Sequence, residues 1–432
     1  GIVHGGHDAK PGSRKAYFNV KGNTFFDKLS AELDFPFKRN GSIVIAFDKA
    51  DIPKLEKLRQ QGITNGVKGL YIASRDELLR QEPNLSDTIA AALVEPSGGI
   101  VCPYEMTIAL AENAAMNGVE FRLNSEVKNI VKKDGFFTVE TADNHLDAKL
   151  IVNAAGLFSD EINNMLSARK LKVIPRKGEY CLLDKAESGL VNYTVFQLPS
   201  KMGKGILVTP TVDGNILLGP TSYDIEDKLD VSTTRDGLAQ VLSKAAIDVK
   251  SLPSRSIITS FSGLRAHIEE NDFLVGMADD VPGLVNACGI DSPGLTSAPA
   301  IAEEIGQIVR DYLKAKPNDH FNPIRKVAPR FRHMSADERR EMIAKDPNYG
   351  HIICRCESVT KAEIIAALHS PLGIRDMDAI KRRTRAGMGR CQGGFCSMRL
   401  PEIISEELDI PLTEVTKCGK GTNLLLHRIK NY

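Results

Sequence analysis

The periods of apolar and polar positions change several times along the chain, and each change marks an element. Ser42 to Phe47, S-I-V-I-A-F, is a short apolar run of strand type, and Asp51 to Gln61 moves to helical spacing with Pro53 in its first turn. Ser74-Arg75-Asp76-Glu77 opens another helix, with Ser74 as cap and Glu77 three residues on, and that helix ends before Pro83. Pro103 to Asn117 is helical, and β-type runs follow at Val119 to Leu123, Val127 to Lys132, Phe136 to Glu140 and Leu150 to Val152. From Val173 to Gly219 the pattern is β-rich, with runs at Glu179 to Leu183, Tyr193 to Leu198, Gly205 to Pro210 and Asn215 to Gly219. An Asp213-Gly214 hairpin turn precedes the last of these, so an antiparallel sheet is expected. Ser232 to Val249 returns to helix and Ile257 to Arg265 to strand.

The stretch around which these elements are arranged is Gly289 to Ala300, G-I-D-S-P-G-L-T-S-A-P-A. Leu284 to Ala287 before it is a strand-type run, and helical spacing runs from Ala298 to Leu313, so the order is strand, tight glycine turn, helix. Gly289 and Gly294 let the backbone pass close to a flat ligand, Pro293 fixes one turn dihedral, and Thr296 or Ser297 is placed to cap the helix. A helix start offers unpaired N–H groups and partial positive charge, which suits the edge of a reduced, anionic isoalloxazine.

Three other stretches carry candidate chemistry. Asn153-Ala154-Ala155-Gly156 ends an apolar strand in small residues, as where a nucleotide passes close to backbone. Gly1 to Ser13 is a glycine-rich loop whose His4 and His7 are placed to touch a substrate. Arg265, at a strand end and followed by Ala266-His267, suits a bidentate grip on a carboxylate or phosphate.

Composition narrows the class. A chain of 432 residues allows two or three domains, and 56 Lys plus Arg against 55 Asp plus Glu gives a net charge of +1, so no nucleic-acid partner or membrane surface is implied. No apolar run has the length of a spanning helix and the first residues form no signal peptide, which reads as a soluble, cytoplasmic protein without an integral membrane segment. The chain opens at Gly1 with no strand before its glycine-rich loop, which reads as a truncated or processed start.

Of the eight cysteines, Cys102, Cys181 and Cys288 are scattered, whereas Cys354, Cys356, Cys391, Cys396 and Cys418 gather near the C-terminus. Without an export signal, that concentration points to metal. Cys354-Arg355-Cys356 and Cys391-Gln392-Gly393-Gly394-Phe395-Cys396 bring four thiolates to one site, fit for zinc or an iron–sulfur cluster, with Cys418 outside the pattern as a structural residue. The single-residue spacing is unusual for zinc, and Gly387, Gly389, Gly393 and Gly394 leave N–H groups free to reach bridging sulfides, which favours [2Fe–2S]. A second capping box, Thr360 with Glu363, starts the helix between the two pairs.

C-R-C followed by G-R-C-Q-G-G-F-C resembles the [2Fe–2S] domain related to bacterioferritin-associated ferredoxin, found fused to flavoprotein dehydrogenases. The first 330 residues, with G-I-V-H-G-G-H-D-A-K-P-G-S, I-V-N-A-A-G, S-G-L-R and G-I-D-S-P-G-L-T, resemble the FAD-dependent D-amino-acid-oxidase-like superfamily. Within it, the glycerol-3-phosphate dehydrogenases with a ferredoxin-like tail and the L-2-hydroxyglutarate oxidases have the most similar arrangement. The implied fold is α/β plus α+β. Residues 1–314 form the oxidoreductase domain, a doubly wound FAD-binding part incomplete at the N-terminus (about 1–40, 103–170 and 257–314) and an antiparallel-sheet substrate part (about 41–102 and 171–256). A linker over 315–350, a small helical [2Fe–2S] domain over 351–415 and a tail over 416–432 follow.

The resemblance implies oxidation of a small anionic hydroxy compound by hydride transfer to flavin N5, with electrons passed to the cluster and on to a redox partner protein or subunit rather than to oxygen. Cofactor contacts then fall on Gly5, Gly6, Ala155, Gly156, Gly289, Ile290, Ser292, Pro293, Gly294, Leu295 and Thr296. Arg265 would clamp the anion, His4 or His267 would take the hydroxyl proton, and Cys354, Cys356, Cys391 and Cys396 would hold the cluster. Two departures accompany it. No G-x-G-x-x-G unit occurs, since Gly203-Lys204-Gly205 and Gly419-Lys420-Gly421 lack the third glycine, and Gly294 stands where the glycerol-3-phosphate dehydrogenases carry lysine, which points toward a carboxylate or another hydroxy acid. An amino-acid or amine dehydrogenase, and an electron-transfer subunit with a vestigial flavin site, are the alternative readings; oligomeric state is left open.

Overall fold

The computed structural model describes residues 1–198 and 205–427, and the Gly203-Lys204 pair lies outside them. The chain divides into two compact units, one of residues 1–29, 37–102 and 122–319, the other of 30–36, 103–121 and the chain from His320 onward.

The largest sheet of the first unit has nine strands. Its path runs Tyr223–Asp224, Val173–Leu183, Ile216–Gly219, Leu207–Pro210, Thr194–Gln197, Ser42–Ala46, Ala91–Glu95 and Tyr71–Ser74, and the long strand Ile257–Ile268 pairs with Val173–Leu183. The pairings are antiparallel, as expected, with one parallel pair, Thr194–Gln197 beside Ser42–Ala46. The runs are apolar because one face packs onto a core of Ile43, Ile45, Val94, Val195, Val208, Leu218 and Val241, the last on the helix Arg235–Asp248. That helix is capped by Thr234, whose hydroxyl accepts from the Gly237 N–H.

A second, three-stranded sheet carries the turn on which the sequence centres. Ile151–Asn153 runs parallel to Leu284–Cys288, which pairs antiparallel with Leu274–Met277. Leu284 and Ala287 point to opposite faces of their strand. Leu284 meets Ile162 and Met165 of the helix Ser159–Leu166, while Ala287 meets Phe18, Ala300 and Ile301 of the helices Arg14–Asn23 and Gly294–Leu313. Helices on both faces of a parallel pair are the doubly wound arrangement. The helices Arg14–Asn23 and Gly294–Leu313 approach closely at Gly22, where a Cβ would stand 2.1 Å from the Thr296 carbonyl oxygen.

Three local expectations are corrected. Val119 to Leu123 forms no strand, and its Val119, Phe121 and Leu123 side chains are exposed. The long helix begins at Gly294 with Pro293 at its N-cap, so Thr296 and Ser297 are buried in its first turn and cap nothing. The helices Arg14–Asn23 and Phe26–Leu33 occupy a stretch that the periodicity left unassigned.

The second unit is mostly helical, with Pro103–Met116, Ala336–Lys345, Lys361–Leu368, Met377–Thr384 and Leu400–Leu408. Its core joins Cys354, Val359, Ile364, Leu368, Ile380, Ile403 and Ile404. The Thr360–Glu363 capping box is present, and Ser335 with Glu338 forms another. The stretch read as a linker is tied down by ion pairs to Pro103–Met116: Arg325 to Glu112 at 2.7 Å and Arg330 to Glu105 at 2.8 Å.

Candidate active site

The glycine turn opens onto a cavity of about 1250 Å3, confined to the first unit. Ile290, Asp291, Ser292, Pro293, Gly294 and Leu295 line it, so the N-terminus of Gly294–Leu313 faces the space. His4, Gly6, Gly156 and Arg265 line it as well. Gly5, Ala155, His267, Gly289 and Thr296 do not. Gly289 adopts φ +68°, and a Cβ there would meet Ile268 Cδ1 at 2.5 Å, so its glycine serves the turn rather than a ligand. Thr296 ties the N-terminal loop to the helix, its Oγ1 accepting from the His4 N–H at 3.0 Å.

Arg265 is one of five Lys and Arg side chains among the cavity-lining residues, with Lys10, Lys15, Arg176 and Lys244. Val173–Leu183 and Ile257–Ile268 place Arg176 opposite Arg265 and Gly178 opposite Gly263. The Arg265 guanidinium lies over Gly178 and donates from Nη2 to the Thr221 carbonyl at 2.8 Å and the Lys177 carbonyl at 3.3 Å. No carboxylate among the described residues lies within ion-pair distance of it, whereas its neighbour Arg176 is held by Asp224 through bonds of 2.7 and 3.1 Å. Burial draws the Arg265 guanidinium below its ordinary value, as expected of a desolvated cation whose own partner is missing.

The two histidines expected to move protons differ. His4 lines the cavity and tilts against Phe196 with ring centroids 5.7 Å apart. His267 is buried, its Nδ1 3.0 Å from Asp291 Oδ2, while Asp291 Oδ1 pairs with Lys15 at 2.6 Å. That triad braces the glycine turn. Sequence reasoning placed His7 beside His4 as a substrate contact, and His7 lines the cavity; it missed Glu95, Arg176, Tyr180 and Lys15. Arg176 and Tyr180 share a strand face with the cavity, a period-two signal present in V-I-P-R-K-G-E-Y but uninformative until the partner strand is known.

The cavity exceeds what a small substrate needs and fits a flavin and a substrate together. Its cradle also fits a flat group: positive helix terminus and glycine backbone at Gly6, Gly156 and Gly294.

In the second unit the cysteine loops meet. Cys354 ends the strand Ile352–Cys354, and Cys391 and Cys396 lie in the turns between Met377–Thr384 and Leu400–Leu408. Cys356 and Cys391 Sγ atoms are 3.6 Å apart. Cys354 is held well below the usual thiol range, to about 6, first by its hydrogen bond with Cys396 and then by N–H groups of Gly387 and Glu357. Burial pushes the Cys391 thiol up, but the bond from Cys356 and the N–H groups of Phe395, Gly393 and Gly394 bring it below its ordinary value. Gly389 is required by contact, since a Cβ there would stand 2.2 Å from Cys356 Cβ. Converging thiolates wrapped in N–H donors fit an iron–sulfur cluster. Cys418 is exposed, with Arg382 Nη2 3.7 Å from its sulfur.

The sequence profile described as "FAD dependent oxidoreductase" matches residues 1–308. The chain belongs to that family. The profile of the "BFD-like [2Fe-2S] binding domain" matches residues 352–406, so FAD and a [2Fe–2S] cluster are the cofactors of this oxidoreductase. A glycerol 3-phosphate dehydrogenase of Caloramator mitchellensis is 50% identical over 98% of this chain and 88% of its own length. A mitochondrial L-2-hydroxyglutarate dehydrogenase of Arabidopsis thaliana is 28% identical over 70% of this chain and 73% of its own. The solved structure of dithionite-reduced L-α-glycerophosphate oxidase from Mycoplasma pneumoniae with FAD bound superposes with a TM-score of 0.71 at 31% identity, covering 76% of this oxidoreductase and 88% of that chain. No described helix is long and apolar enough to cross a membrane.

Proposed function

We propose that the chain is a glycerol 3-phosphate dehydrogenase that sends its electrons through the [2Fe–2S] cluster to a partner protein in the cytoplasm. The observation that carries the substrate is Arg265, a desolvated guanidinium on the cavity wall with carbonyl tethers and no carboxylate partner among the described residues. Such a group binds an anion at about 1.5–3 kcal/mol per charged hydrogen bond. The name of the 50% identical relative supports a phosphate as that anion.

In this reading Arg265 fixes the phosphate and thereby the carbon chain. Bound FAD supplies the hydride acceptor. His4 takes the proton of the hydroxyl whose carbon is oxidised, since an imidazole titrates in the range that a general base needs. Gly6, Gly156 and the Ile290–Leu295 backbone leave room for the flat ring, and the helix terminus at Gly294 favours its negative edge. Cys354, Cys356, Cys391 and Cys396 hold the cluster, whose thiolate ligation suits a reducing compartment.

A 2-hydroxy acid is the second substrate reading, because a carboxylate would meet the same guanidinium and because of the L-2-hydroxyglutarate dehydrogenase relatives. Steady-state reduction of a dye acceptor with glycerol 3-phosphate, L-2-hydroxyglutarate and a panel of amino acids separates these. We expect glycerol 3-phosphate to have the highest kcat/KM; turnover of the hydroxy acid alone, or ammonia release from an amino acid, overturns the proposal.

A further inference from the structure

Behind the cavity wall lies a buried acid that the mechanism above does not use. Glu95, at the end of the strand Ala91–Glu95, is 1% exposed. Its Oε2 is 3.0 Å from His7 Nδ1 and accepts from the Ser42 hydroxyl at 3.0 Å. The loop presses directly on the carboxylate: a Cβ on Gly5 would stand 1.8 Å from Glu95 Oε1, so only glycine fits there. His4 and His7 flank one aromatic ring, with centroids 5.7 and 6.5 Å from Phe196, and both line the cavity.

A carboxylate this enclosed is tolerated when it is hydrogen-bonded and faces positive charge. Burial pushes Glu95 up, but the His7 charge, the bonds from His7 and Ser42 and the more distant His4 charge bring it below the ordinary carboxylate value. The elements packed around the pair contribute Gln61, which donates to the His7 carbonyl at 3.0 Å, Gly62 against the His7 Cα and Cβ, and Ser42. Among cavity-lining groups, Asp8 and Lys10 come from the same loop as the two histidines.

We propose that Glu95 is a positioning residue of the reaction, the fixed counter-charge for the cavity imidazoles: it holds His7 through the 3.0 Å approach of Oε2 to Nδ1 and stabilises the imidazolium that forms when His4 takes the substrate's hydroxyl proton. This rests on the reading of the cavity as the site of alcohol oxidation. In the step concerned the O–H bond breaks, its proton passes to the His4 ring, and its electron pair becomes the second bond of the new carbonyl. The C–H hydrogen leaves with its pair to the bound cofactor. A buried negative charge lowers the energy of the imidazolium more than that of the neutral ring, as a carboxylate behind a catalytic histidine does elsewhere.

The test uses the holoenzyme and Glu95→Gln, which keeps size and hydrogen-bonding capacity but removes charge. Imidazole titrations are followed by NMR on 15N-histidine protein, with His4→Asn and His7→Asn variants to assign the signals. We expect the pKa values of His4 and His7 to fall by about one unit, and the acid limb of kcat/KM to move to lower pH with them. The plateau kcat falls about tenfold or more while KM stays within about twofold. Glu95→Asp, which keeps the charge but shortens its reach, gives a smaller shift of the same sign and serves if Glu95→Gln does not fold. Unmoved imidazole titrations in a folded, FAD-loaded variant overturn the proposal. Absence of alcohol turnover in the unsubstituted enzyme instead overturns the substrate reading, and the NMR titration still reports on the counter-charge.

Discussion

Gly178 makes the room that Arg265 fills: a Cβ on residue 178 would stand 2.6 Å from Arg265 Nη2 and 2.8 Å from Pro220 Cβ. The glycine is therefore part of the anion site although it touches no ligand. Gly178→Ala should push the guanidinium off its carbonyl tethers and raise KM for glycerol 3-phosphate by tenfold or more, about 1.4 kcal/mol per decade. The preference for glycerol 3-phosphate over glycerol, measured as a ratio of kcat/KM, should shrink in the same proportion. A raised KM with an unchanged ratio would mean that the substitution disturbs the cavity without touching the anion contact.

The two histidine candidates separate by mutation. His4 faces the cavity, whereas His267 is spent on Asp291, itself paired with Lys15. His4→Asn should lower kcat by about 10²-fold or more, with FAD retained by its absorbance. His267→Asn should cost stability, about 1–3 kcal/mol for a buried polar partner removed, and leave the pH profile of kcat/KM in place. Equal loss of kcat in both variants, with folded, flavin-loaded protein, would return His267 to the chemistry.

Asp248 gives the fold a pH signature. Its side chain is fully buried, accepts from Gln197 Nε2 at 2.7 Å, and burial pushes its carboxyl up from 3.8 to about 7. The folded protein thus holds this proton more tightly than the unfolded chain does. The stabilisation is present below pH 4 and is lost as pH rises from about 4 through 7, with a span on the order of 2–4 kcal/mol. Asp248→Asn removes the dependence and should raise stability at pH 8 relative to the unsubstituted protein. Denaturant titrations of both at pH 5.5 and pH 8 check this: the gap between the two proteins must widen toward pH 8.

Local signals carried the sequence reading far where a feature is local. The strand, glycine turn and helix of 284–313, the Thr360–Glu363 capping box and the paired cysteines are written within a few residues of one another. What escaped depends on distant partners. Glu95 is an unremarkable acid in V-E-P-S until His7, 88 residues earlier, is found against it. Thr296 reads as a cap from its neighbours, yet its hydroxyl is taken by His4, 292 residues away, and the N-cap is Pro293, three residues sooner. The place of Arg265 on the cavity wall fits its reading as a candidate anion ligand, but its tethers at Lys177 and Thr221 and the gap at Gly178 come from strand register. The contact of His267 with Asp291 was hidden for the same reason: nothing nearby in sequence announces that partner.

The cluster site can be tested without turnover. Gly389 lies against Cys356, its missing Cβ falling 2.2 Å from Cys356 Cβ, and Gly387 and Gly393 hold φ of +91° and +90° in the same turns. Gly389→Ala must move one cysteine loop away from the other and should abolish cluster assembly, whereas FAD, held in the other unit, should stay at full occupancy. Cys391→Ser should weaken assembly but leave the loop fold intact, because its sulfur is the partly exposed partner of Cys356 rather than part of the core. Iron and sulfide analysis with low-temperature EPR of dithionite-reduced protein measures both. With the cluster gone, reduction of a dye that accepts from flavin directly should persist, while reduction of a protein acceptor should fall by an order of magnitude or more. A Gly389→Ala protein that retains a full complement of iron and its EPR signal would show that the ligand loops are not held as the Cys356 contact requires, and a loss of flavin along with the cluster would show that the two cofactors depend on one another.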